Sequence, residues 1–261
     1  MNLATSSPMM KPEVFQGGGA FGGRAEATPG VMTVNGAITK TAILLGICVV
    51  TAVGSWVLAS TTAGAVMPLL WGGLIAGFVS FLIMSFKPES SPFVAPIYAV
   101  SEGAFVGAVS LLYATAMQGT KVGGATGGGI VATAALGTFA ILGLMLGLYK
   151  VGLIRAGALF TRVMIVAGAG IALYAVATIV MAVTGMMPAA LQTGPLAIAI
   201  CVGILVYASF CLILDFAFIE EGAANGAPKY LEWYGGAALL MTLVWIYLKL
   251  LRLLSLLSKR N

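Results

Sequence analysis

Apolar stretches of about twenty residues recur seven times along this chain, and that recurrence limits its fold more than any other feature. The hydrocarbon core of a bilayer is about 30 Å thick, so one helical crossing takes about 20 mostly apolar residues. The stretches lie at residues 41–60, 66–86, 93–117, 128–149, 161–184, 196–219 and 230–257. They are continuous rather than alternating, which favours helices over a barrel. Only 8% of the residues are charged and 60% are apolar, against about a quarter charged in a soluble domain. So few charges cannot cover a water-facing surface. The expectation is an all-α, polytopic membrane protein, a seven-transmembrane-helix bundle in the lipid bilayer over residues 40–261.

The breaks between spans carry turn chemistry. Lys87-Pro88-Glu89-Ser90-Ser91-Pro92 is a stop and restart, and Gly123-Gly124-Ala125-Thr126-Gly127-Gly128-Gly129 reads as a flexible connector. Asn225-Gly226-Ala227-Pro228 ends one helix and places proline near the start of the next. Residues 1–39 read as a disordered, Gly-rich cytosolic tail, because glycine loses the most entropy on ordering. Small residues four apart, Gly73 and Gly77, Gly103 and Gly107, Gly143 and Gly147, mark faces where helices can approach closely in lipid.

Lysine and arginine set the orientation. Lys11, Arg24 and Lys40 precede the first span, and Lys87, Lys150, Arg155 and Arg162 fall on that same side. The amino terminus is therefore expected in the cytosol. The last span breaks the order, because a seventh crossing puts Lys249, Arg252, Lys259 and Arg260 outside. Either that segment crosses against the rule or it re-enters and returns.

Several function classes are excluded. With no histidine in the chain, the usual general base and the usual transition-metal ligand are missing. Cys48, Cys201 and Cys211 lie inside apolar runs without a close pair and read as packing residues. No cofactor motif, no nucleic-acid-binding pattern and no catalytic constellation is recognisable, so the chain reads as a non-enzyme. Lys249 in the last span does not make a retinal protein, because it sits near the span's end beside Arg252.

Acids inside spans are costly and usually functional. Three qualify: Glu102, Asp215 and Glu232. Glu102 falls near the middle of the third span, where a neutral or hydrogen-bonded carboxyl that glues helices together competes with a functional role. Asp215 is the only aspartate, near the end of the sixth span. Glu232 opens the seventh, where a first-turn acid also suits the helix dipole. A short antiparallel connection between these spans would bring Asp215 and Glu232 to similar depth, where two carboxylates share a proton and respond to pH or to a cation.

The segment SPFVAPIYAVSEGAFVGAVSLLYA (91–114), with Tyr98-Ala99 followed by Glu102-Gly103, resembles the third-span pattern of the transmembrane Bax inhibitor motif family. FCLILDF (210–216) is similar to that family's sixth-span aspartate motif, and WIYLKLLRLLSLL (245–257) to its Leu-Arg-Leu-Leu ending. The opening MTVNGAITKT (32–41) resembles the bacterial branch. The resemblance implies a bacterial plasma (inner) membrane protein with a central last helix. It also implies a pH-sensitive cation leak, with calcium as the ion, governed by an aspartate pair on the last two spans. Asp215 matches the first member and would be the calcium ligand. Counting back from the ending puts Thr242 where the second aspartate belongs, and no arginine in the second span matches the family's basic partner. Either Glu232 substitutes or the pair is absent. Because some bacterial relatives associate with membrane-bound ATP-dependent proteases, the competing expectation is a non-transporting interaction protein that regulates such a protease.

Overall fold

The first helix is set by its cap. The Thr33 hydroxyl accepts the Gly36 amide at 2.9 Å, satisfying one of the orphan donors of an α-helix start, and the helix then runs unbroken as α1 (Val34–Thr61). This computed structural model describes residues 30–62, 64–117, 127–154, 156–186 and 188–258. The Gly-rich tail up to residue 29, most of the 117–127 connector, Lys121, Arg155, Lys259 and Arg260 lie outside the described residues. From Val31 onward the chain forms one compact unit.

After α1 come α2 (Val66–Phe86), a 3-10 turn at Pro88–Ser90, α3 (Ser91–Ala116), α4 (Gly127–Lys150) and α5 (Ala158–Val183). A four-residue turn α6 (Ala189–Gln192), α7 (Pro195–Ala224) and α8 (Leu231–Ser258) complete the chain. Seven of these helices are long and apolar enough to cross a membrane. The side on which α1 begins is called the N-side below, and the opposite one the far side.

Two helices extend past their apolar runs. α1 opens at Val34 rather than at 41, so the membrane unit begins before the boundary expected at residue 40. Lys40 is accommodated inside it because its ammonium lies 4.6 Å over the Trp233 ring, a cation–π contact. α7 continues to Ala224 instead of stopping at 219, and Asn225 and Gly226 (φ +68°) end it. Only glycine takes that left-handed conformation cheaply.

The last segment is one unbroken helix, long and apolar enough to cross, and it does not turn back on itself as a re-entrant segment would. α8 has 28 residues with no break, which at 1.5 Å each makes about 42 Å, more than one hydrocarbon thickness. It is also the axis of the bundle. It packs against α1, α3, α4 and α7, and only Met241 and Leu257 on it are exposed. α5 is the opposite case: it packs on α7 and turns most of its apolar surface outward to lipid.

Glycine sets the tightest approaches. A Cβ on Gly103 would press into the Cys48 carbonyl and Thr51 of α1, and one on Gly107 into the Ala52 carbonyl. Gly73 plays the same part for α2 against the Ser101 carbonyl and Phe105 amide of α3. Gly143 and Gly147 do not, since nothing lies within 4 Å of a Cβ at either. The spacing marks a close approach at Gly73, Gly103 and Gly107, ordinary contact at Gly77, and nothing at Gly143 or Gly147.

Candidate functional site

Asp215 lies on α7, nine residues before its N-side end, which is about 14 Å along the helix. It is half-buried, between the buried Leu212 and Ile213 and the partly buried Phe216. Its partner is on the axial helix. The Thr242 hydroxyl donates to Asp215 Oδ2 at 2.7 Å. The same hydroxyl lies 3.2 Å from the Ala238 carbonyl one turn earlier. A hydroxyl has one proton to give and two lone pairs to offer. With Asp215 ionised, Thr242 donates to the carboxylate. With Asp215 protonated, the acid donates to Thr242, whose own proton turns to the Ala238 carbonyl. The pair accommodates both states without moving a helix.

Glu232 is somewhere else. It is 2% exposed, and its Oε1 accepts both the amide and the hydroxyl of Thr33, each at 3.0 Å. It sits in the first turn of α8, yet its carboxylate serves the start of α1, where the helix dipole favours a negative charge. Gly36 makes room for it, since a Cβ there would overlap the carboxyl group. Ten residues of α8, about 15 Å, separate Glu232 from Thr242. The expected pairing of Asp215 with Glu232 is therefore overturned. The cause is the length of α7, which places Asp215 nine residues from the helix end instead of four.

Glu102 belongs to neither group. It projects from α3 toward α2, and a Cβ on Gly77 would lie 3.5 Å from its Oε1. The Tyr98 hydroxyl, one turn earlier, is buried beside it. The three candidate acids thus occupy three different helix interfaces. Among the described residues no three His, Cys, Asp or Glu side chains converge. Calcium takes six to eight oxygens, more than the Asp215 carboxyl and the Thr242 hydroxyl supply.

A family model described as Bax inhibitor 1 like matches residues 7–259. The chain belongs to the Bax inhibitor 1 like family. Neither a curated protein nor a solved structure matches it.

Within this Bax inhibitor 1 like bundle, Thr242 occupies the position that the resemblance assigns to a second aspartate, and it is the residue that meets Asp215. The membrane domain also holds a cavity of about 450 Å³ in its far half, between α1, α3, α4 and α8. Its polar edge is the buried Ser110–Tyr247 hydrogen bond, 2.6 Å long. Sequence reading missed this pair and the bond from Thr33 to Glu232. Ser110 and Tyr247 stand 137 positions apart and Thr33 and Glu232 stand 199 apart, and no local pattern links them.

Proposed function

We propose that this membrane protein passes cations, calcium or protons, through its helix bundle, and that the Asp215–Thr242 pair makes the passage respond to pH. The reading places the amino terminus in the cytosol and the bundle in a bacterial plasma membrane. The observation that carries it is the hydrogen bond from Thr242, on the axial helix, to the only aspartate in the chain. An aspartate in a membrane span is costly to insert, and such acids generally mark ion or proton paths. Here one carboxylate and one hydroxyl replace a pair of carboxylates. Ionised, the site attracts a cation into the seam between α7 and α8. Protonated, it loses that charge and the attraction with it.

The test is cation flux in proteoliposomes as a function of pH, in the native protein and in two variants of Thr242. Thr242→Ser keeps the hydroxyl and should keep the pH profile. Thr242→Val keeps the volume but removes the donor to the ionised carboxylate, so the midpoint of the profile should move to higher pH. Identical profiles in all three proteins would defeat the reading. No flux at any pH would leave the non-transporting role, contact with a membrane-bound protease, in its place.

A further inference from the structure

Acids are confined to one part of the bundle axis, while bases occur at both ends. From Val31 onward the acids are Glu89, Glu102, Asp215, Glu220, Glu221 and Glu232. Glu89, Glu220, Glu221 and Glu232 lie at N-side helix ends, and Glu102 and Asp215 lie at mid-depth. The far-side connectors and everything after Glu232 contain no aspartate or glutamate. The far half of α8 instead carries Lys249 and Arg252, three residues apart and so on neighbouring faces of the helix.

Neither cation is exposed, on a helix that other helices wrap almost completely. Lys249 is held against α7, where its backbone carbonyl accepts the Cys201 thiol at 3.4 Å. The Arg252 guanidinium reaches the Leu191 carbonyl of α6, also at 3.4 Å, and Tyr113 of α3 lies within its field. Among the described residues no carboxylate pairs with either. Long basic side chains near a helix end often only reach out toward the lipid headgroups. These two stand on the axial helix and face α3, α6 and α7, so their charge is held among those helices at the far end. A low-dielectric surround strengthens such a field, and an arginine or lysine at a constriction is how a membrane pore excludes cations.

We propose that Lys249 and Arg252 form an electrostatic barrier that keeps cations out of the far end of the bundle, so that Asp215 exchanges its proton or cation with the N-side. Lys249 lies seven residues beyond Thr242, about 10 Å along α8. A cation released from Asp215 toward the far side meets this uncompensated positive pair next, whereas the N-side helix ends carry Glu89, Glu220 and Glu221 alongside Lys87, Lys150 and Lys229. This inference rests on the reading of Asp215 as the cation site, and it adds which side serves that site and what limits full passage.

The barrier can be tested without flux. In a protein whose three native cysteines are replaced by alanine, Leu191→Cys places a thiol beside Arg252. Anionic and cationic methanethiosulfonate reagents of similar size are added from the far side of reconstituted vesicles. The anionic reagent should react faster by about tenfold, the lower range of field focusing, and the bias should vanish in Lys249→Gln/Arg252→Gln. Lys249→Arg/Arg252→Lys, which keeps both charges, should retain it. Equal rates with the charges present, a cationic preference, or a thiol unreactive to both reagents would overturn the barrier. Flux then separates this inference from the reading beneath it. The Gln double variant should raise cation flux severalfold while Asp215→Asn still alters it. If flux responds to Asp215→Asn but the Gln variant changes neither flux nor thiol bias, the barrier fails and the reading stands. If the thiol bias is present but no flux is found, the barrier stands and the reading fails.

Discussion

At the scale of single residues, Glu232 and Asp215 are both carboxylates near the last helix, and their partners separate their roles. Glu232 accepts two hydrogen bonds from Thr33 in a site 2% exposed. Removing it leaves a buried amide and hydroxyl without an acceptor. Glu232→Ala should therefore cost about 2 kcal/mol of stability, read as a lower unfolding temperature in detergent, while Glu232→Gln, which still offers a carbonyl oxygen, should cost less. Gly36→Ala forces a methyl group into the Glu232 carboxyl and should destabilise at least as much. A native-like unfolding temperature in both Ala variants would contradict the clasp. Glu102→Gln should fold almost normally, because among the described residues no cation pairs with Glu102 and the amide has the same shape. Asp215 stands out in the sequence, since a lone aspartate in an apolar run is conspicuous. The partner of Glu232 was not, because Thr33 lies at the other end of the chain.

At the scale of elements, apolar length locates the seven membrane helices, and turn residues rather than the end of the apolar run mark where α7 stops. α7 passes through Glu220-Glu221 to Asn225 and Gly226, because helix-compatible residues outlast the hydrophobic stretch. That overrun of about one turn moved Asp215 away from Glu232 and toward Thr242. Glycine spacing was equally partial as a guide. Gly107→Ala should push α1 and α3 apart at the Ala52 carbonyl and cost about 2 kcal/mol. Gly143→Ala, on an exposed face with nothing within 4 Å, should be neutral or stabilise by up to about 1 kcal/mol. Equal unfolding temperatures for these two variants would refute the assignment of the close interface. The crossing of α8 has its own test. Cysteines at Glu89 and Leu257, both exposed, should react with a membrane-impermeant reagent from opposite faces, and reaction from the same face would contradict an unbroken eighth helix.

At the scale of the whole molecule, α8 is the axis, α1, α3, α4 and α7 surround it, and the far half holds Lys249 and Arg252 without an acid. Hydropathy gave the number of helices but not which one is central. A helix apolar on every side shows no inward face, and in lipid both the core and the surface favour the same residues. The axial place of α8 was legible only through the family resemblance, and the lack of acids in the far half only by following the acids through seven alternating crossings. The account converges on one group, the Asp215 carboxyl held by Thr242. The most direct measurement is calcium flux into proteoliposomes across a range of pH, for the native protein and for Asp215→Asn reconstituted at equal density. The account predicts a flux that varies with pH in the native protein and a pH-independent flux, open or shut, in Asp215→Asn. A pH-dependent flux left unchanged by Asp215→Asn would contradict it.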